Sequence, residues 1–547
     1  MIIPQLRIRR MRHDFDKMLT KNCSSSIINA AGLREGKIEG MKTGLALRRV
    51  SGAKLLSVCF LTAFLVITLM SRCSFLYPMN TWCDANCFYT VGRAIANGRV
   101  LYRDIYEQKG PLLYFLHACV EWIPGQSVNP FLEIYILEVL AATATLYFLA
   151  RTLLLYRPCR GWRLAAWVAL LGVLVYANRS FSHGDSAEEF VLVMAAYVLY
   201  ATLRMLKSEP HDISRGSLYA IGVLAGFVFW CKYICLSYAL GAMVVPLAVA
   251  LRERNYRLIG RALAFVLLGA LTASVPVICY FAYHRAFDAL WEAYFYNNIF
   301  LYGNAGSLLW KIRFIGGKVI SYLWGNLRYV LFALLGWIYA LCSGRRREAW
   351  HVFSIVAAVM LVILLSARLF VYGLLPLATL SVTGVIALDE LLGRVKAPRA
   401  RVAAQCALLA ACCVVLLRTP VRSALREARL EREDVLPYRI ASVMEQTPEA
   451  TLLDLYLMDS GIYTAADILP PDSTRYFCYL NLQMPQMHAD WQRIIREAEV
   501  DYIYTGWRRL EELYSQIPDP PYVLVYGQDA DERLYMRRDL SAQTSEA

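Results

Sequence analysis

PLLYFLHACVEWIP, Pro111 to Pro124, decides how this chain threads a membrane. The segment is apolar enough to be taken for a span. Yet its roughly 14 residues would cover only about 21 Å as a helix, against the ~30 Å of a bilayer core. If it does not cross, the rest of the chain alternates cleanly between sides; if it crosses, every later loop changes side. The reading that follows is an interfacial or re-entrant helix.

The chain around it belongs to the membrane class. Of 547 residues, 58% are hydrophobic and only 18% charged, and the mean hydropathy is +0.41. Upstream, LLSVCFLTAFLVITLM (Leu55 to Met70) lacks a small-residue cleavage site and reads as a retained signal anchor. Residues 1–53 form a basic arm containing RIRRMRH, expected to stay in the cytoplasm. Met41, before KTGLALRR, is an alternative start to Met1. Further spans are drawn at about 131–150, 162–178, 188–206, 217–232, 235–251, 262–283, 325–342, 350–367, 370–388 and 402–418, about 11 in all. With the N-terminus inside, the cytoplasmic loops are YRPCRGWR, RMLKSEPHDISR, RERNYRLIGR, SGRRREAW and GRVKAPRAR, and all are basic. The net charge of +14 is therefore the signature of topology rather than of nucleic-acid binding, for which no module is present. Residues 73–130 become one large external loop, and the C-terminus lies outside.

From about residue 420 the composition turns polar. A charged helix, VRSALREARLEREDVLPYRIASVME, leads into strand-like TLLDLYL, VDYIYTG and YVLVYG, which alternate with helix-like HADWQRIIREAE and RRLEELYSQI. The expected organisation is a cytoplasmic arm (1–53), a transmembrane unit (54–419) and a small extracytoplasmic α/β accessory domain (420–547). Most of the 15 cysteines sit in apolar runs and behave as small hydrophobes. Cys83 and Cys87 are four apart in the external loop, and both a local disulfide and two unrelated thiols remain open.

The external loop reads NTWCDANCFYTVGRAIANGRVLYRDIYEQKGPLLYFL, Asn80 to Leu116. It gathers Asp84 and Asp104 with Arg93, Arg99, Arg103 and Lys109 where a lipid headgroup would lie. Its order is Asp84, an aromatic helix ending in NG, then LYRD and KGPLLY. That order resembles the first external loop of the GT-C superfamily of membrane glycosyltransferases, in particular the bacterial relatives of protein O-mannosyltransferases and the lipid A aminoarabinose transferases. As architecture the likeness covers about residues 55–390, and the motif about 84–114.

The resemblance implies a GT-C type fold, and with the spans drawn above the expected architecture is an all-α polytopic protein of about 11 transmembrane helices plus interfacial helices, followed by the small α/β domain. The resemblance also implies a polyprenyl-phosphate-linked sugar as donor and an acid of this loop, Asp84 by position, as the base. The chemistry has the same needs on its own terms. A base takes the acceptor proton, and cations hold a phosphate whose charge grows as it leaves. Lys109 and Arg103 are the first candidates for that clamp. Asp104 is either an active-site carboxylate or the partner of Arg103 or Lys109. One base facing the sugar implies inversion at the anomeric carbon.

Other polar groups compete for the same site. NRSFSHGDSAEEF (Asn178 to Phe190) places Asp185, Glu188 and Glu189 at a helix entry, where they either line the site, as the similar EE entry of related GT-C sequences implies, or cap the helix. Asp185 with His183 is the alternative for a divalent cation, magnesium or manganese; no other cofactor is indicated. Lys232 and Arg368 lie in apolar spans, where they bind donor phosphate or snorkel to the outer surface. Asn297, Asn298 and Tyr302 belong to an aromatic loop that either faces the acceptor or anchors the interface.

The expected function is transfer of a monosaccharide from a polyprenyl-phosphate donor to a cell-envelope glycan, lipid or protein on the outer face of the cell membrane. A transporter or flippase of lipid-linked glycans, and a non-catalytic envelope-assembly protein, are the alternatives. A transporter should show paired halves, which are not visible here.

Overall fold

The computed structural model describes residues 51–120, 129–302, 308–366, 369–480, 482, 484–517, 519–527 and 532–546. The basic arm to residue 50, both candidate starts and Arg368 lie outside the described residues. Leu55–Ala547 forms one compact unit.

Among the described residues, 7 helices are long and apolar enough to cross a membrane, or 8 if one bent pair counts as a single span. The longest apolar stretch, Arg215–Arg252, contains a reversal. Gly222 approaches Val266 and Gly226 approaches Ala270, so Arg215–Lys232 and Tyr256–Tyr283 run in the same direction. At the other end His211 lies 3.5 Å from Glu253, and Asp212 pairs with Arg261. The chain therefore turns at Tyr233–Cys235, and Leu236–Arg252 returns antiparallel. The spans expected near 162–178 and 402–418 correspond to Trp162–Tyr176 and to part of Pro398–Glu427, of 15 and 30 residues. Neither is among the 7.

Pro111–Val120 is helical up to the edge of the described residues. It packs against the loop helix Cys83–Ala96 at Gly92, where an added Cβ would stand 2.8 Å from the His117 carbonyl carbon and 2.9 Å from the Ala118 nitrogen. Glycine is required there by close approach rather than by backbone angle.

The C-terminal part builds a four-stranded sheet from β1 (Leu452–Asp454), β2 (Tyr502–Gly506), β3 (Tyr522–Tyr526) and β4 (Arg533–Arg537), in the order β1-β2-β4-β3. β1 and β2 are parallel and the other pairs antiparallel. Three strands fall on the expected runs. β4 does not, because RLYMR begins and ends on arginine and shows only a short apolar centre. Helix Pro485–Glu497 buries Met487, Trp491, Ile494 and Ile495, spaced four, three and one apart, as one face of a helix must be.

The sheet domain and the loop helix Cys83–Ala96 share a single hydrophobic core. Cys87, Phe88, Val91 and Tyr106 pack in one cluster with Leu453, Tyr463, Phe477 and Trp491. Polar pins cross the same boundary: Thr90 Oγ1 donates to Asp459 Oδ2 at 2.6 Å, and Arg93 meets Asp467 at 2.6 Å. Cys83 and Cys87 are both free thiols. Cys87 Sγ instead lies 3.9 Å from Cys478 Sγ.

Candidate active site

Asp84 sits in the first turn of Cys83–Ala96, where the positive end of the helix dipole favours a carboxylate. The helix is held from one side by the sheet domain and from the other by Pro111–Val120, so Asp84 is fixed by packing on two faces. It is only 5% exposed, and its Oδ2 accepts the Tyr372 hydroxyl at 3.0 Å. Tyr372 comes from the 3-10 segment Val371–Leu380.

Two lysines converge beside this pair. Lys232, at the end of Arg215–Lys232, lies over the Tyr372 ring at 5.0 Å and bonds Glu188 Oε1 at 2.6 Å. Lys109 lies over the Phe88 ring at 5.4 Å with Glu107 Oε1 at 3.6 Å. Burial works against the charge of Lys109, but Glu107 and then Asp84 outweigh it, and the ammonium is held charged well above the usual lysine range. Glu107 is fully buried and receives both the Tyr114 hydroxyl and the Lys109 backbone N–H. Each glutamate keeps one carboxylate oxygen, Oε1 of Glu107 and Oε2 of Glu188, buried without a hydrogen-bond donor among the described residues. A buried acceptor without a donor is costly, and a ligand hydroxyl is one group that would relieve it.

Lys109, Glu188, Lys232 and Tyr372 border one cavity of about 400 Å³, to which Asp84 is joined through its hydrogen bond with Tyr372. Gln108, Lys109, Glu188, Lys232, Asn298 and Tyr302 line its polar part. Its remainder is walled by Val359, Val362, Ile363, Leu365, Leu369 and Pro376. The cavity therefore has a charged head and an apolar body, the shape of a site for a lipid phosphate.

The expected residues divide accordingly. Asp84, Lys109, Glu188, Lys232, Asn298 and Tyr302 come together. Asp104 and Arg103 do not join them: they pair with each other at 2.8 Å, Asp104 also caps the Val100 amide, and Arg103 is half exposed. A neighbouring ion pair within the loop satisfies both charges at lower cost than burying either. Asn297 is spent in the core, donating to the Tyr106 hydroxyl at 2.8 Å. Arg93 and Arg99 hold the sheet domain. Arg368 lies outside the described residues. Sequence reasoning gave no role to Glu107 and passed over Tyr372. Glu107 was signalled by its place two residues before Lys109, whereas nothing near Tyr372 announces its partner.

Asp185 and Glu189 form a second, deeper cluster. The Asp185 amide donates to Glu138 Oε1 at 2.7 Å and to Glu189 Oε2 at 3.0 Å. His117 Nε2 lies 3.1 Å from both Asp185 oxygens, while its Nδ1 lies 2.8 Å from the Leu113 carbonyl oxygen. A carbonyl only accepts, so Nδ1 carries a proton, and the bond between Nε2 and Asp185 requires another. Burial works against the imidazolium, but Asp185 outweighs it and the histidine is held above its ordinary value. The His183 ring bonds the Ser182 hydroxyl at 2.8 Å instead of joining Asp185. Among the described residues no group of three or more His, Cys, Asp or Glu side chains is placed to hold a metal ion.

No protein-family model and no curated protein sequence matches the chain. Solved structures do. The chain is similar to ArnT from Cupriavidus metallidurans bound to undecaprenyl phosphate, with a TM-score of 0.57 and 14% identity over 89% of this chain and 97% of that one. It is likewise similar to the apo state of the same protein, with a TM-score of 0.55 and 14% identity over 88% and 97%. An Archaeoglobus fulgidus oligosaccharyltransferase complexed with zinc and sulfate aligns at a TM-score of 0.47 and 11% identity over 88% and 73%. The chain thus shares the fold of ArnT, a lipid A aminoarabinose transferase, as the GT-C resemblance of its first loop implied.

Proposed function

We propose that this chain is a membrane glycosyltransferase of GT-C type that moves a sugar from a polyprenyl-phosphate donor to a hydroxyl acceptor of the cell envelope. One observation carries the reading: two partly buried lysines, Lys109 and Lys232, line the charged head of a cavity whose body is apolar, and the buried carboxylate of Asp84 bonds Tyr372 in the same lining. The fold shared with ArnT, whose structure was solved bound to undecaprenyl phosphate, supports the lipid-phosphate donor.

In this reading the donor phosphate lies between Lys109 and Lys232, with its prenyl chain along Val359, Ile363 and Leu369. The acceptor hydroxyl attacks the anomeric carbon as Asp84 takes its proton. The bond from anomeric carbon to phosphate oxygen breaks, and the lysines hold the charge that gathers on the phosphate. A phosphate leaves as an anion, so no separate acid is needed. Attack on the face opposite the leaving group inverts the anomeric centre. Glu188 Oε2 is available to a sugar hydroxyl.

The test uses the purified full chain with labelled polyprenyl-phosphate sugars and envelope acceptors. Donor consumption that depends on acceptor, and that falls about 10²–10⁴-fold in Asp84→Asn while membrane insertion is kept, is the expected result. Wild-type turnover by Asp84→Asn would remove Asp84 as the base. Failure of the native chain to consume any such donor would remove the reading.

A further inference from the structure

The cavity has a third lysine that the transfer chemistry does not use. Lys311 belongs to Leu308–Gly325, LLWKIRFIGGKVISYLWG, a helix with no acidic residue. Its Nζ lies 3.3 Å from the Leu365 carbonyl oxygen, and it has no ion pair among the described residues. Lys109 and Lys232 differ in this respect, since each already faces a glutamate.

The helix bends 94° from Leu327–Cys342, the apolar segment that follows it. If that segment crosses the bilayer, Leu308–Gly325 lies along the surface, at the depth of lipid phosphates. Its outward side chains agree: Leu309 and Trp324 are both 74% exposed, and Ile320 71%. Lys311 and Lys318 are seven residues apart and share the face of buried Ile315. Lys318 lies over the Phe314 ring at 4.4 Å. The neighbouring wall of the cavity, Val359 to Ser366, leaves Leu361 55% and Leu365 61% exposed. Lys311 thus stands where the cavity meets the membrane surface.

Resting on the donor class proposed above, we infer that Lys311, with Lys318 behind it, is the loading cation for the donor. It captures the lipid-borne phosphate at the interface before the phosphate moves in to Lys109 and Lys232. An uncompensated cation attracts an arriving anion more strongly than one already paired, and the same helix offers no carboxylate to repel it.

The experiment compares the full chain with Lys311→Gln and Lys311→Arg in bilayer nanodiscs, reading donor KM and kcat separately. Lys311→Gln should raise donor KM about tenfold and leave kcat within about twofold, and Lys311→Arg should restore KM. An unchanged KM, a loss confined to kcat, or no rescue by arginine would overturn the inference. Nanodiscs of phosphatidylcholine alone are compared with nanodiscs containing phosphatidylglycerol. A defect that needs phosphatidylglycerol would mean that Lys311 serves bulk anionic lipid, and would also overturn it. Binding of undecaprenyl phosphate, measured by native mass spectrometry, separates this inference from the proposed function. If the native chain shows no transfer, loss of that binding in Lys311→Gln still supports the loading role, and equal binding refutes it.

Discussion

Tyr372 donates its hydroxyl to Asp84 Oδ2 at 3.0 Å across 288 positions of sequence. The bond ties the loop helix Cys83–Ala96 to the segment that opens the apolar stretch Val371–Gly393.

Removing that hydroxyl tests whether the orientation of Asp84 matters. Tyr372→Phe keeps the ring that lies over Lys232 and deletes one hydrogen bond to a charged group. We expect kcat to fall about tenfold, the equivalent of ~1.4 kcal/mol, with donor KM little changed. Transfer kinetics over a range of donor concentration decide it. An unaltered kcat would reduce Tyr372 to packing.

Glu188 and Lys232 form a pair in which the carboxylate is 1% exposed and the lysine side chain 15%. Glu188→Gln leaves a partly buried ammonium without its partner and should cost about 1–3 kcal/mol, seen as a lower Tm. The double variant Glu188→Gln with Lys232→Met removes both charges and should recover most of that stability. It should not recover donor binding. Recovery of both would show the pair to be structural only.

Gly92 sets the distance between the two loop helices. An alanine there would push against His117 and Ala118, and helix backbone yields little. Gly92→Ala should destabilise the chain by about 1–3 kcal/mol and lower transfer through displacement of Asp84. Thermal unfolding and activity, measured on the same preparation, check both effects.

Asp454 and Asp459 make the sheet domain sensitive to pH. Burial, and then the charge of Asp459, push Asp454 from 3.8 up to about 7. Burial pushes Asp459 from 3.8 to about 6 against hydrogen bonds from Thr90 and the Gly461 amide. Between about pH 4 and pH 7 the folded domain therefore keeps protons that an unfolded chain has released. Their contribution to stability is full below about pH 4 and declines as pH rises through 7. Hydrogen-exchange protection of β1 and β2, corrected for intrinsic exchange, should fall over that window, and Asp454→Asn should flatten the fall. Protection that rises with pH would contradict the assignment.

The sequence by itself determined where the chain is apolar, where it turns polar, and that the charged loop between Leu55–Met70 and the next span carries the candidate chemistry. Those properties are local. A run of about 20 apolar residues has one favourable environment whatever its neighbours do, and an apolar run of about 14 residues between two prolines is too short to span. Asp84 and Lys109 were legible for the same reason, as charges placed next to apolar segments in one loop. Only the tertiary structure decided which charges are satisfied by which partners. It put Lys232 on Glu188, 44 residues away, and Asp84 against Tyr372. It also spent Asp104 on Arg103, Asn297 on Tyr106, and Asp185 on His117. Burial makes an unpaired polar group expensive, so each one takes the partner that packing brings within about 3 Å. Arg103 and Asp104 are neighbours whose pairing was among the alternatives open in the sequence; the other partners lie 44 to 288 positions apart, and no local pattern records them.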